Sequence, residues 1–231
     1  MLLPRQATLT LSASRADDDG IAVDQHSTGA DLTITGALAT ASKASSDVMR
    51  LVNITATSNE STITFGVFGT DYDGTSVTES ITGPTGGTAP TYSTKYFLTV
   101  SRIAPSASVA ATGTASIDVG FADRAAMPWQ RVNKNTREPW HMTFQTRIPT
   151  NPTGIGYTLQ FTIQNVPEGP APGSSTGLGQ NTPITYNHPS VAAVTQAFSG
   201  SVTGPMRAMR LIATAHASAA SLELNTLHTG E

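Results

Sequence analysis

Hydrophobic and polar residues alternate with a period of two along most of the chain, as they do in strands with one buried face. In the clearest segment, Ile63, Phe65 and Val67 alternate with threonine and glycine. Similar patterns predict strands at 7–11, 32–34, 52–56, 77–81, 96–100, 115–121, 140–144, 157–163, 197–202, 206–214 and 221–227. Helical spacing extends over only a few residues at a time, so the pattern predicts an all-β protein.

Turn signals organise these strands into domains. The Asp73-Gly74 step tolerates positive φ and predicts a hairpin between 65–68 and 77–81. Seven or so short strands in the first 120 residues are enough for an immunoglobulin-like sandwich. The more polar segment 122–137 is interpreted as the crossing between domains. We therefore predict two tandem immunoglobulin-like or jelly-roll-like β-sandwich domains, residues 1–125 and 126–231.

Two further features bear on organisation. The segment 167–189 is rich in Gly, Pro, Ser and Thr, which predicts a long surface loop. The sequence Val48-Met49-Arg50-Leu51-Val52 is echoed by Ala208-Met209-Arg210-Leu211-Ile212, and we refer to these as the two Met-Arg-Leu segments. The echo raises a duplicated domain as an alternative to two unrelated ones.

Composition narrows the possible functions. Hydrophobic residues make up 38% of the chain and charged residues 13%, which favours half-buried strands over surface helices. The net charge is -3 and the 13 basic residues are scattered, so nucleic acid is not expected as a direct partner. The chain has no cysteine, which suits a reducing cytoplasm. Neither a signal-peptide pattern nor a run of ~18 apolar residues is visible, so no membrane association is expected.

Acidic and histidine residues are the candidate metal ligands of this sequence. Asp17–Gly20 and Asp71–Gly74 are candidates for calcium binding, but neither has the distal Glu of an EF-hand loop. Turns in which Asp bonds its own backbone explain both segments more simply. The five histidines lack ligand spacing. No metal and no cofactor are therefore expected.

Glu79 is the acid that falls on an apolar strand face, between Val77 and Ile81. A glycosidase would need a second carboxylate, and the sequence identifies no partner. We interpret Glu79 as an edge residue that blocks unwanted strand pairing or meets an Arg of a neighbouring subunit. Since the sequence also lacks a nucleophile elbow, a phosphate-binding loop and a dinucleotide fingerprint, the chain is predicted not to be an enzyme.

Aromatic residues are the remaining candidates for contacts. Trp129 lies in the crossing segment and Trp140 begins a strand, and either ring could anchor an interface or cap the core of its own domain. Tyr72, Tyr92 and Tyr186 would form the contact surface of a binding module, together with the 167–189 loop. These five aromatic residues and Glu79 are the predicted interface residues.

Residues 48–104 resemble a pattern frequent in virion proteins of tailed bacteriophages. The matching segments are Val52–Ser58, Ile63–Asp71, Asp73-Gly74, Val77–Pro84 and Ser93–Val100. Residues 127–224 resemble more loosely the region that often accompanies it, at Pro128-Trp129, Tyr186–Pro189 and Met206–Leu211. The resemblance implies a multi-copy accessory component of the phage particle, in the tail or on the capsid, without a cofactor.

From these observations we expect a non-enzymatic structural protein of a tailed phage virion, assembled in the cytoplasm of the bacterial host. The expected position is the tail or head-to-tail region, with other virion proteins and copies of itself as partners in a homo-oligomer. A capsid decoration or cement protein is the first alternative. A receptor- or glycan-binding module of a tail tip is the second.

Overall fold

The structure, a computed structural model, describes residues 5–12, 16–26, 29–87, 89–107, 116–131, 141–149, 154–164, 166, 183–203, 206–216 and 219–228. Every secondary-structure element assigned within these ranges is a β-strand, which confirms the predicted all-β class. Among the described residues, no helix has the length and hydrophobicity needed to cross a bilayer. The predicted loop 167–189 lies outside the described residues up to position 182.

The strands alternate with turns along the chain, as the period-two pattern predicts. In chain order they are β1 (Arg5–Leu11), β2 (Asp17–Gln25), β3 (Ala39–Thr40), β4 (Lys43–Ala56), β5 (Thr64–Thr70), β6 (Ser76–Thr82), β7 (Thr91–Pro105), β8 (Ile117–Ala126), β9 (Gln130–Arg131), β10 (His141–Arg147), β11 (Gly156–Thr162), β12 (Tyr186–Asn187), β13 (Phe198–Thr203), β14 (Ala208–Ala215) and β15 (Ala220–His228).

The chain divides into two compact units. The first unit is Ser14–Asp123, and the second unit combines Met1–Ala13 with Arg124–Glu231. Strand β1 belongs to the second unit because it pairs along its whole length with β15, whereas the sequence pattern had placed it among the strands of the N-terminal domain. That residues 1–125 and 126–231 form separate domains remains a prediction.

The sheet of the first unit has the strand order β8-β4-β7-β5-β6, with β2 paired to β8 and β3 paired to β4. The predicted hairpin is confirmed: β5 and β6 pair antiparallel in an unbroken register from Thr64↔Thr82 to Thr70↔Ser76. Its turn is closed by Asp71 Oδ1, which accepts hydrogen bonds from Asp73 N and Thr75 N at 3.0 Å each. The Asp side chain thus satisfies turn amides and is used for structure.

An apolar core fills the first unit. Phe65, Phe97 and Phe121 are fully buried in it, together with aliphatic residues from β2, β4, β6 and β8. Strands β5 and β7 approach closely at Gly69, where a Cβ atom would lie 1.8 Å from Thr99 O. Only glycine permits that approach without moving the backbone.

The second unit contains a four-stranded sheet in the order β1-β15-β10-β13. In a further group of strands, β14 lies beside β11, which in turn pairs with β12. Strand β9 and the last residues of β8 also pair with β14. These pairings hold the buried residues of β14 and β11 in the interior, including Met209, Leu211, Tyr157 and Leu159.

Two details of the first unit differ from the sequence pattern. Residues 32–34 form no strand, and Leu32 makes only an isolated bridge to Ile103. Asp17–Gly20 is not a turn, because all four residues belong to β2, which pairs irregularly with β8. The strand forms despite its acidic start, since Ile21 and Ala22 are fully buried.

Candidate functional site

The four-stranded sheet of the second unit has one buried face and one open face. Strand alternation sends Leu9, Met142, Phe144, Leu222 and Leu224 inward, where each is at most 3% exposed. Their neighbours along each strand point the other way and are polar. We call the outward-pointing side "the open face".

Cross-strand register orders the open face into rows. One row runs from Gln6 through Asn225 and Gln145 to Ser199. Residues opposite each other in an antiparallel pair have their side chains on the same face, close enough to interact. Amide and hydroxyl groups therefore extend in a line across all four strands.

The adjacent row carries the charges of the open face. Arg147 and Glu223 are register partners, and Arg147 Nη1 lies 3.6 Å from Glu223 Oε2. Arg147 is 57% exposed at its side chain, whereas Glu223 is 16% exposed. The pair is loose, so it places one cation at the side of the amide row without rigid geometry.

The middle of the open face is a depression of about 610 Å³. It is lined by Thr143, Phe144, Gln145, Ser199, Gly200, Ser201, Asn225, Thr226 and Leu227, all from β10, β13 and β15. None of these residues is ionisable, so the depression itself contains no general acid, general base or charged ligand. Its lining combines hydroxyl and amide groups, which can form hydrogen bonds, with the Leu227 side chain, which is 39% exposed.

A buried hydroxyl pair supports the sheet from below. Tyr157 is fully buried, and its hydroxyl lies 2.5 Å from Thr146 Oγ1 while donating to Gln196 O at 2.6 Å. Phe198 N donates to Thr146 Oγ1 at 3.0 Å, which fixes the beginning of β13 against β10. Burial raises the pKa of Tyr157, so the neutral phenol is the form that the fold holds.

Aromatic rings complete this support. The Phe144 ring packs edge-on against His188 at 5.2 Å and stacks with Phe198 at 6.1 Å. A Cβ at Gly200 would lie about 3 Å from both phenylalanine rings, so the absence of a side chain at this position leaves room for the two rings. Burial lowers the pKa of His188, which favours a neutral imidazole among these rings.

Glu79 has a structural environment. Its Oε1 accepts hydrogen bonds from Thr94 N at 2.8 Å and from Thr94 Oγ1 at 2.7 Å, and its Oε2 accepts from Lys95 N at 2.8 Å. Strand β6 is the last strand of its sheet, so Glu79 lies on an edge strand. A carboxylate with three donors links β6 to the first residues of β7.

The predicted aromatic residues lie in different settings. Tyr72 lies in the β5–β6 turn and is 44% exposed, whereas Tyr92 lies in β7 opposite Asn53 and is half-buried. Tyr186 is 45% exposed and stacks on Phe161 with ring centroids 5.6 Å apart. Trp140 lies outside the described residues.

Trp129 is 5% exposed and packs with Val166 and Ala208 inside the second unit. The guanidinium of Arg210 lies 4.4 Å from its ring centroid. Arg210 Nε also donates to Gln160 Oε1 at 3.0 Å. The ring thus caps a small cluster of its own unit and stabilises a buried cation through its π face.

The acidic segments do not gather into a metal site. No group of three or more His, Cys, Asp or Glu side chains with metal-binding geometry occurs in the part of the chain that the structure describes. Asp18 Oδ1 instead accepts a hydrogen bond from Asn53 Nδ2 at 2.5 Å. Burial and the neighbouring Asp19 raise the pKa of Asp17.

Sequence reasoning missed the open face. Apart from Arg147, Glu223 and Leu227, its residues are ordinary Ser, Thr, Asn and Gln at the polar positions of predicted strands, and each one alone carries no functional signal. The available signal was the near absence of charge at those positions in 143–146, 199–203 and 225–227. Solvated strand faces commonly carry Lys and Glu, so a face whose charges are confined to the row of Arg147 and Glu223 favours a contact surface.

No protein-family model matches this sequence, and no curated protein matches it. Among solved structures, a similar chain belongs to the cryo-EM atomic structure of Broad Bean Stain Virus. It is 8% identical, with a TM-score of 0.23, and the alignment covers 97% of this chain and 88% of that chain. A likeness at this level carries no weight for either fold or function.

Proposed function

We propose that this chain is a non-enzymatic structural component of a virus particle, present in multiple copies in the tail or head-to-tail region of a tailed bacteriophage. It assembles in the cytoplasm of the bacterial host and contributes to particle assembly and stability. Its partners are other virion proteins and further copies of itself. Neither nucleic acid nor a membrane is a direct partner.

The open face carries this proposal. Three adjacent strands present nine uncharged lining residues on a backbone that buried hydroxyl and aromatic contacts hold in place. A protein partner can bind such a surface by hydrogen bonds without desolvating charges, whose burial is costly. The resemblance of residues 48–104 to tailed-phage virion proteins supports the same function.

The setting of Glu79 supports a non-enzymatic function. A catalytic acid or base needs a carboxylate within reach of substrate and free to exchange a proton. The oxygens of Glu79 are instead engaged by two main-chain amides and one hydroxyl. This carboxylate therefore joins strands.

Electron microscopy of purified particles tests the proposal. Antibodies against this chain, applied to particles of the virus or prophage that encodes it, are expected to label the tail or the head-to-tail junction at regular positions. Regular labelling of the head surface would instead favour capsid decoration. Particles that lack the chain altogether, by antibody and by mass spectrometry, would contradict a structural function in the virion.

A charge variant tests whether the open face is needed for incorporation of the chain into particles. Gln145→Arg places a cation in the centre of the face, and we expect folded protein that is incorporated into particles at least tenfold less. Thr62→Arg is the matched control, since Thr62 is exposed in a turn of the first unit. Equal incorporation of both variants would exclude the open face as the contact surface.

A second candidate function is glycan or receptor binding at a tail tip. The depression of about 610 Å³ is lined by hydroxyl and amide groups together with Leu227, and Tyr186, outside that lining, presents a ring that is 45% exposed. Sugars bind proteins through hydrogen bonds and ring contacts, and the depression and the Tyr186 ring are separate candidates for these contacts. A saturable signal on a glycan array that is lost in Tyr186→Ala and Tyr72→Ala would favour recognition over assembly.

A further inference from the structure

Both edges of the four-stranded sheet are open among the strands that the structure describes. Strand β1 pairs only with β15, and β13 pairs only with β10. An edge strand presents a row of unpaired main-chain N–H and C=O groups, which another strand can bind. Each edge is therefore a potential site for strand addition.

The β13 edge lacks the features that usually prevent strand addition. Its sequence, Phe198–Thr203, contains neither a charged residue nor proline. Its register with β10 is unbroken from His141↔Thr203 to Thr146↔Phe198, so no bulge twists the edge away. Strand β1 likewise pairs without a bulge and is uncharged after Arg5.

The edge strand of the first unit is different, and it serves as an internal comparison. Strand β6 carries Glu79, and Lys95 Nζ donates to the main-chain oxygen of Thr78 at 2.7 Å. Charges of both signs therefore lie along that edge, which is how natural sheets discourage edge-to-edge pairing. We call the β6 edge guarded because charged side chains lie along it, and we call the β1 and β13 edges unguarded.

Strand polarity makes the two unguarded edges complementary. Strand β1 runs antiparallel to β15, β15 to β10, and β10 to β13, so β1 and β13 point in opposite directions. A second copy moved sideways along the sheet, without inversion, would thus place its β1 antiparallel to β13 of the first. Such head-to-tail contacts extend from copy to copy.

The side-chain patterns of the two edges also match. Gln6, Thr8 and Thr10 are the exposed residues of β1, and Ser199, Ser201 and Thr203 are those of β13. The alternate positions are apolar or glycine on β13 and, from Ala7 onward, on β1, and Phe198 and Val202 at the β13 edge are only half-buried. Pairing would therefore continue both the polar open face and the apolar inner face across the junction, and would cover those two side chains.

We infer that copies of this chain join head to tail, with β13 of one copy pairing antiparallel with β1 of the next in one continuous sheet. The inference rests on the proposed function as a multi-copy structural component. It names the partner as a second copy of the chain, and it names the contact as two six- to seven-residue strands.

Cysteine crosslinking tests the contact directly, because the natural chain has no cysteine. Three single variants on β1 (Gln6→Cys, Thr8→Cys, Thr10→Cys) are each mixed with three on β13 (Ser199→Cys, Ser201→Cys, Thr203→Cys) and oxidised. A disulfide needs Cα atoms about 4.4–6.8 Å apart, so only pairs in register crosslink. Along an antiparallel pair, the residue number rises on one strand as it falls on the other. All mixtures that crosslink should therefore have the same sum of the β1 and β13 residue numbers.

The controls separate this geometry from other contacts. Ser80→Cys, on the guarded β6 edge, is expected to give no crosslink with any β1 variant. A β13 variant that crosslinks efficiently to itself would show a symmetric contact and overturn the head-to-tail arrangement. Mixtures that crosslink at a constant difference of residue numbers, or no mixture crosslinking at all, would overturn it as well.

A charge test checks that the edge drives association. Ser199→Lys with Ser201→Lys is expected to abolish concentration-dependent association in sedimentation velocity, whereas Ser76→Lys with Ser80→Lys on β6 leaves it unchanged. Equal behaviour of the two double variants would contradict the inference. The same crosslinks sought in purified particles distinguish two failures. If the particles contain the chain but show no crosslinks, only this inference is contradicted. If the crosslinks form in solution but the particles lack the chain, only the proposed function is contradicted.

Discussion

Two Arg–Asp pairs in the first unit share the same geometry but differ in burial. Arg50 binds Asp47 through Nε at 3.0 Å and Nη2 at 3.3 Å, and Arg102 binds Asp31 through Nε at 2.7 Å and Nη2 at 3.1 Å. The Arg50 side chain is 0% exposed, whereas those of Arg102 and Asp31 are 52% and 48% exposed. Asp47→Ala and Asp31→Ala therefore remove the same ion-pair contact in two dielectric settings, and Asp47→Ala also removes the hydrogen bonds that Asp47 Oδ1 accepts from Ser46 Oγ and Val48 N.

The expected costs follow from burial. Asp47→Ala removes a carboxylate partner of a fully buried guanidinium, while Arg50 Nη1 still donates to Ala122 O at 3.2 Å. Breaking a buried pair by removing one partner costs about 3–5 kcal/mol, and because the Asp47 side chain is 21% exposed we expect the lower end of that range. On a unit of this size that corresponds to a decrease in Tm on the order of 10 °C. Asp31→Ala should leave Tm almost unchanged, because water screens the exposed pair.

Thermal and urea unfolding followed by circular dichroism measure both variants against the natural chain. Asp47→Asn is a further control, since it keeps an acceptor oxygen and removes the charge, and we expect an intermediate loss. Both tryptophans lie in the second unit, so tryptophan fluorescence gives a separate record of that unit. Equal losses for Asp47→Ala and Asp31→Ala would refute the reasoning, because burial would then not determine the cost.

Three further predictions concern single positions. Tyr157→Phe removes the contacts of the phenol hydroxyl with Gln196 O and Thr146 Oγ1 and should cost about 1 kcal/mol in urea unfolding. Because the folded pKa of Tyr157 is raised, the natural chain should lose stability as pH rises above about 10, and Tyr157→Phe should lose less. The lowered pKa of His188 predicts that Tm falls as pH drops below 6.5, with a shallower fall in His188→Gln. Gly69→Ala, whose Cβ would lie 1.8 Å from Thr99 O, should prevent folding, whereas Gly74→Asn in an open turn should be tolerated in expression and Tm.

The sequence predicted strands best where burial is one-sided. Residues 63–67 and 77–81 alternate strictly, and the Asp73-Gly74 step between them marks the turn, so local rules were sufficient for that hairpin. Residues 32–34 alternate too, but the segment is short and gains only one bridge, to Ile103. Alternation over three residues therefore does not specify a strand.

The local pattern of hydrophobic and polar residues did not predict which strands pair when they are far apart in the sequence. Strand β2 begins with three aspartates, which indicate a turn by propensity, yet pairing with β8 and burial of Ile21 and Ala22 make it a strand. Strand β1 was predicted as a strand, but its partner β15 lies more than 200 residues away in sequence. Which sheet a strand joins depends on contacts that are distant along the chain, and the open face depends on the same pairing.

The two Met-Arg-Leu segments show that the alternation of hydrophobic and polar residues does not predict which partners stabilise a charged residue within a strand. In each segment the arginine is buried, Arg50 fully and Arg210 at 4% exposure, together with the apolar residues beside it. Desolvating a guanidinium is costly unless partners compensate, and the two arginines have different side-chain partners among their contacts. Arg50 binds a carboxylate, whereas Arg210 meets an amide oxygen of Gln160 and the ring of Trp129. A duplication could account for the strands and the arginines, but the compensation for the buried charge has to be supplied separately in each unit. The echo in the sequence therefore predicts where a buried arginine lies and says nothing of what stabilises it.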